Sequence, residues 1–269
     1  MKNNNRRERR DTKPRAPENE EEQQDFVIGR HSALETLRQE DNTKINKVFV
    51  QEGIKADAIA AVKKLAKEKK IIVQEVPKRK LDKLSDNGNH QGIVVAIAPY
   101  SYVSVADILQ RAKDQNEDPF VLILDNVEDP HNLGSIMRTA DAVGVHGIII
   151  PKHRSASLTS TVAKTSTGAI EHVPVARVTN LAQTIKKLKK EGFWIFGTMM
   201  NGTDYRKWNA TGSIGLVIGN EGKGISTGLQ KEMDENLTIP MVGHVQSLNA
   251  SVAASILMYQ AFAVRHPLS

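Results

Sequence analysis

No cysteine occurs among the 269 residues. Disulfide frameworks, thiolate zinc sites and a cysteine nucleophile are therefore excluded together. Metal ligation is left to histidine and carboxylate. None of the eight histidines (31, 90, 131, 146, 153, 172, 244, 266) stands in a His-Glu-x-x-His arrangement that sets two imidazoles on one helix face, so no metal is expected. Long apolar runs are missing too. No stretch approaches the ~20 apolar residues of a membrane helix, and the opening residues lack the apolar core of a secretory signal. A cytoplasmic protein is the expectation.

What is present is charge, apolar alternation and glycine. The formal net charge of +6 gives a surface suited to a polyanion, although many proteins of such charge bind no nucleic acid. Residues 1–15 set seven basic residues against two acidic ones, and residues 16–25 hold five acidic residues and no basic one. With little that is apolar to bury, residues 1–25 are expected to be a disordered charged tail. Its basic half would serve as an RNA arm or, more simply, as a solvated segment neutralised by its acidic half.

The chain length favours two folding units over one. The first is expected over residues 26–98. Ser32-Ala-Leu-Glu35 has the form of a capping box opening a helix through Leu34 and Leu37. Lys47–Val50 reads as a strand. Residues 56–69 place Ile59, Val62, Leu65 and Ala66 on one helical face, before strands at 71–76 and 93–97. Helix and strand alternation indicates a small α/β unit. Its lysines, among them Lys63, Lys64, Lys67, Lys69, Lys70 and Lys78, form either an RNA track or a solvated face. Residues 99–118, with a helix-compatible stretch over 106–115 and the polar Asp114–Pro119, are expected to link it to the second unit, residues 119–269.

There the alternation restarts. Val121–Leu124 is a short apolar run suited to a strand buried on both faces. Further strands are expected at 147–150, 173–178, 193–198, 214–218 and 237–239, with helices at 132–143, 181–190 and 249–264. A parallel sheet covered by helices is the predicted architecture.

Three segments of this second unit carry the candidate chemistry. In Asn132-Leu-Gly-Ser-Ile-Met-Arg138, a helix follows a strand, with Asp129 or Asn132 as its cap. Gly134 and Arg138 share a face, the glycine leaving room beside a guanidinium able to grip a phosphate. The plain alternative makes Arg138 a surface ion-pair former with Asp141 or Asp129. In Ile218-Gly-Asn-Glu221-Gly-Lys-Gly224, glycines follow a strand, where backbone amides can approach a ligand. Their spacing misses the dinucleotide fingerprint by one residue, and Gly224 after Lys223 disfavours a triphosphate loop. Glu221 is either functional or a cap of the next turn. In Ile239-Pro-Met-Val-Gly-His-Val-Gln-Ser247-Leu-Asn249, a loop carries the chain from a strand into the last helix, and Ser247 and Asn249 are ordinary capping types.

In this order and spacing the three segments resemble the SpoU/TrmH family of RNA ribose methyltransferases, most closely the bacterial large-subunit rRNA guanosine 2′-O-methyltransferases. The likeness covers roughly 27–264. It includes Gly168-Ala-Ile-Glu-His-Val-Pro174, and Gly29-Arg-His-Ser-Ala-Leu-Glu-Thr-Leu37 with His90-Gln-Gly-Ile-Val-Val95, which look like the family's small RNA-binding domain of the ribosomal-protein L30e fold. The resemblance implies a catalytic SPOUT domain, a mostly parallel α/β sheet with a deep trefoil knot, acting as a homodimer on RNA. It implies S-adenosylmethionine as cofactor, held at Gly197, Thr198, Gly219, Ile239, Met241 and Leu248, with Ile218 completing the apolar slot. The functional polar residues map to Asn132, Arg138, Glu221, Ser247 and Asn249. Ala250 departs from the valine often found in relatives, at a position without chemistry.

The implied reaction is transfer of the cofactor's methyl group to a ribose 2′-hydroxyl. Much of the rate would come from aligning two bound reactants. The family often assigns the base to the counterpart of Arg138. A guanidinium stays protonated in proteins, so an Arg138 that grips phosphate and orients the ribose, with Asn132 and Glu221 positioning either, is the physically easier role. A tRNA 2′-O-methyltransferase and a non-catalytic ribosome-binding or assembly protein are the alternatives. A nicotinamide-dependent oxidoreductase ranks below them because its glycines are off register.

Overall fold

The computed structural model describes residues 25–39, 44–98, 100–245 and 247–268. The tail expected over residues 1–25 therefore lies, Asp25 apart, outside the described residues.

The first sheet runs from β1 (Asp25–Ile28) through α1 (Arg30–Arg38), β2 (Ile45–Gln51), α2 (Ala56–Glu68), β3 (Ile72–Val76) and α3 (Lys78–Leu84) to β4 (Ile93–Ile97). Its strand order is β1-β4-β2-β3, with β2 and β3 parallel and β4 antiparallel to both its neighbours. Ala33 and Leu37 of α1 and Ile59 and Val62 of α2 bury their apolar stripe against Val48, Val50, Ile93 and Val95. The capping box expected at Ser32 is not formed. Helix α1 starts three residues earlier, at Arg30, and its N-cap is Gly29 at φ 92°, a conformation that glycine adopts freely. Ser32 sits inside the first turn, where its carbonyl accepts from Thr36 Oγ1 at 2.9 Å.

After α4 (Val105–Asp114), capped by a true box between Ser104 and Asp107, the second sheet begins. Its elements are β5 (Phe120–Leu124), α5 (Pro130–Ala142), β6 (Gly147–Pro151), α6 (Ser160–Ser166), β7 (Val175–Val178), α7 (Leu181–Lys190), β8 (Trp194–Asp204), β9 (Ile214–Ile218), α8 (Thr227–Gln230), β10 (Glu235–Thr238) and α9 (Ala250–Arg265). All six strands are parallel, in the order β10-β8-β9-β5-β6-β7. The central β5 and β9 are buried on both faces, as unbroken apolar runs in a parallel sheet must be.

Helix α9 closes the larger core. Ala250, Ala254, Leu257, Met258 and Ala261 pack in one cluster with Leu133, Ile136 and Met137 of α5, and Thr139 Oγ1 lies 2.9 Å from Ser255 Oγ between the two helices. At its end Arg265 spans three backbone carbonyls: Ala210, Asp118 and Gly212.

Candidate functional site

The middle of β8 and the C-terminal ends of β9 and β10 open onto a cleft of about 810 Å³, closed on one side by the start of α9. Ligand sites in open parallel sheets form at such strand ends, where loops diverge. Of the seven residues expected at the cofactor, six line the cleft: Thr198, Ile218, Gly219, Ile239, Met241 and Leu248. The seventh, Gly197, does not. It lies within β8, where a Cβ would stand 2.8 Å from Met233 and 3.1 Å from Asn236 Oδ1, so its small size serves packing beneath β10.

The floor is a turn held by its own side chain. Asn220 and Gly224 exchange backbone hydrogen bonds at 3.0 and 2.8 Å. Asn220 Oδ1 accepts from the Gly222 and Lys223 amides at 3.0 and 3.2 Å. Those amides are thus engaged within the turn, which narrows what the glycine-rich segment offers a ligand. Gly219 is required by the same turn, since a Cβ there would lie 2.3 Å from the Gly224 carbonyl carbon. Asn220 Nδ2 donates to the Asn126 carbonyl at 3.0 Å, and the buried Asp125 accepts from Ser226 N at 2.7 Å, fastening the turn to the exit of β5. Asp125, Asn126 and Asn220 were not among the expected site residues. The local signal for Asn220 is an Asx turn before glycine, whereas pairings across about a hundred positions leave no local trace.

Glu221 is the junction of the three segments. Its Oε1 accepts from Asn132 Nδ2 at 2.9 Å, from the Ala250 amide at 3.3 Å and from Asn249 Nδ2. Asn249 Nδ2 also donates to Asn132 Oδ1 at 2.9 Å. Glu221 therefore reaches across to two other elements instead of capping its own turn. Asn249 is at once the cap of α9, accepting from the Ser251 and Val252 amides at 2.9 and 3.3 Å, and a partner in this network. Asn132 is buried and does not cap α5; Asp129 does, accepting from the His131 amide at 2.8 Å. Ser247 is exposed and lines the cleft.

Arg138 stands apart from this network. It is exposed on α5, and among the described residues its guanidinium meets neither Asp141 nor Asp129, so the ion pairs considered for it do not form. Nor does Gly134 make room beside it. A Cβ at Gly134 would meet Thr165 Cβ at 2.6 Å and the Val162 carbonyl at 3.0 Å, so this glycine lets α6 press onto α5.

Comparison with known proteins agrees with this geometry. Residues 119–259 match the model of the SpoU rRNA Methylase family, and residues 26–103 match that of the RNA 2′-O ribose methyltransferase substrate-binding domain. A putative TrmH family tRNA/rRNA methyltransferase from Staphylococcus aureus is 56% identical over 241 residues, 89% of this chain and 96% of the relative. An AdoMet-bound rRNA methyltransferase from Sinorhizobium meliloti superposes with a TM-score of 0.56 at 26% identity, over 91% of this chain and 88% of that one. The TrmH/SpoU tRNA modifying enzyme of A. aeolicus does so with a TM-score of 0.52 at 30% identity, over 59% and 84%. With both sheets, the cleft and the Glu221 junction in place, the chain belongs to the SpoU/TrmH family of RNA methyltransferases.

Proposed function

We propose that this chain methylates the 2′-hydroxyl of a ribose in RNA, a guanosine of 23S rRNA, with S-adenosylmethionine as methyl donor. The observation that carries the reading is the Glu221–Asn132–Asn249 network at the rim of the cleft, where three distant segments converge. The cleft suits the cofactor. Its volume of about 810 Å³ falls in the usual range of small-molecule sites. Ile218, Ile239 and Leu248 give it apolar walls for an adenine ring, and Glu221, Asn201 and Gln230 give it a polar edge. Bound there, S-adenosylmethionine supplies an electrophilic methyl group.

The chain's own residues do the rest. Glu221 holds Asn132 and Asn249 in one geometry before substrate arrives, so little ordering is left for the reactive complex. Arg138, which has no ion pair among the described residues, is suited to a bidentate grip on an RNA phosphate that orients the ribose and favours loss of its proton. Ser247 at the rim is placed to meet the incoming nucleotide. The substrate-binding match over residues 26–103 supports assigning RNA selection to the first sheet and its helices, with the L30e-like fold that the resemblance implies.

A homodimer and a knotted C-terminal segment belong to the same reading. Val252, Tyr259 and Phe262 leave an apolar face of α9 open, which a second copy would cover. The chain leaves β10 at one sheet edge and returns to pack α9 on α5, a path in keeping with threading. The test is methyl transfer from labelled S-adenosylmethionine to total rRNA and total tRNA, followed by mapping of 2′-O-methyl sites in rRNA from a strain lacking the gene. Label only in tRNA would overturn the rRNA assignment, and no label at all would favour a ribosome-binding protein.

A further inference from the structure

Where the two sheets meet, a second cavity of about 290 Å³ is lined by Lys69, Lys70, Lys152 and Arg177, together with Asn46, Ser104 and Tyr102. Four cationic residues line it and, among the described residues, no carboxylate does. Arg177 on β7 stacks over the Tyr102 ring at 4.3 Å and donates from Nη1 to Asn46 Oδ1 and from Nη2 to the Ile45 carbonyl, both at 2.7 Å. Lys152, just past β6, crosses in the same direction to the Lys70 carbonyl at 3.0 Å, and Lys69 donates to the Gln39 carbonyl. The side chain of Asp107 is occupied with Ser104, whose amide and hydroxyl it accepts at 2.7 Å.

The seam is short of acceptors. Neutral carbonyls satisfy hydrogen bonds but leave the positive charges uncancelled, and clustered like charges in a half-buried space repel. Burial, then Arg177 and Lys70, hold the Lys152 ammonium below its ordinary range. Asn46, only 2% exposed, accepts from Arg177 at Oδ1 while its Nδ2 donor has no partner among the described residues. Structural ion clusters are normally balanced; among the described residues this one carries charge of one sign only.

We infer that this seam is an oxyanion site that takes a phosphate group, separate from the methyl-transfer cleft. A phosphodiester of the RNA backbone and a free phosphate share that chemistry. The first follows if the RNA reading above holds, because a site touching both sheets would then fix the substrate-binding unit and the catalytic unit on one strand. No proton or bond changes hands. The site would position RNA through its backbone and carry no sequence preference.

Lys70→Gln removes a charge that acts on Lys152 while leaving in place the Lys70 carbonyl that Lys152 uses. Lys152→Gln and the double variant complete the set, all in the full chain. Binding of an rRNA fragment is measured against salt concentration, and inorganic phosphate is titrated by calorimetry, with S-adenosylmethionine affinity and thermal unfolding as controls. The salt dependence of log K is expected to lose a slope of about 0.7–0.9 for each phosphate contact removed, with cofactor affinity unchanged. If the slope holds but phosphate binding vanishes in the variants, the occupant is a free oxyanion and the site stands. If folded variants keep both slope and phosphate binding, the site is refuted. A wild-type chain that neither binds nor methylates RNA would instead overturn the functional reading, leaving the phosphate titration to decide the seam by itself.

Discussion

Asn132 Nδ2 donates to Glu221 Oε1 across 2.9 Å, joining residues 89 positions apart at the rim of the cleft. The carboxylate serves three donors there, and an amide oxygen in its place would attract them less strongly. Glu221→Gln is therefore expected to retain the fold and lose methyl transfer on the order of 10²-fold, the usual cost of misplaced reacting groups. Asn249→Ala should cost about 1 kcal/mol through loss of the α9 cap. A double-mutant cycle of Asn132→Ala and Asn249→Ala, read by urea unfolding, should show coupling of roughly 0.5–3 kcal/mol. Strict additivity would mean that the network is not cooperative.

Among the described residues the exposed Arg138 side chain makes no hydrogen bond or ion pair, so Arg138→Ala should alter stability by less than about 0.5 kcal/mol. Single-turnover methyl transfer at saturating RNA should nevertheless collapse, while calorimetric affinity for S-adenosylmethionine stays at the wild-type value. Arg138→Lys keeps the charge and loses the planar fork, so poor rescue is expected. Full activity in the lysine variant would reject the bidentate grip.

Glycine substitutions separate packing from ligand contact. Gly134→Ala drives a methyl group into Thr165 and is expected to destabilise by roughly 1–3 kcal/mol, seen as a lower urea midpoint. Gly219→Ala strikes the Gly224 backbone, so stability and cofactor affinity should fall together. Leu248→Ala, at a half-buried wall of the cleft, should weaken S-adenosylmethionine about tenfold with the midpoint nearly unchanged. Unaltered affinity in Leu248→Ala would remove that wall from the cofactor site.

His146 predicts an acid limb in stability. Its imidazole is buried, and Nδ1 accepts from the Phe120 amide at 3.0 Å, which requires the neutral ring. Burial lowers its pKa from the ordinary 6.5, opposed by the Glu117 carboxylate 3.2 Å from Nε2. The unfolded chain thus takes up a proton more readily than the folded one. The contribution is complete above pH 6.5 and shrinks as pH falls toward the depressed folded value. His146→Asn keeps an acceptor for Phe120 and loses the titration. Urea unfolding across this acid range should therefore give a flatter profile for the variant than for the wild type.

Much of the second sheet could be read directly because its strands are continuous apolar runs with sharp ends. Ile214–Ile218 and the helix Leu181–Lys190 match their expected limits. Elements governed by distant partners were less readable. Strand β8 continues through the polar Asn201–Asp204 because β10 pairs along it with a register shift between Asn236 and Leu237. Helices α3 and α6, seven residues each, are too short to show a period. At the site, the motif residues named most of the cleft, and backbone geometry settled what they could not. Gly29 at φ 92° moved a helix start, and close packing by α6 reassigned Gly134.

The late position of α9 bears on the order in which the protein can be made. Residues 250–261 finish the larger core and, through Asn249, the Glu221 junction, while Arg265 ties the end of the chain to loops 118 and 210–212. These partners were synthesised up to about 150 positions earlier. A nascent chain can close its first sheet while still attached to the ribosome, since every strand of that sheet is complete by Ile97. The second sheet closes later. Its apolar seat for α9 stays open until residues 250–265 have been made, so this half is expected to fold after the first and more slowly, as contacts of high sequence separation require.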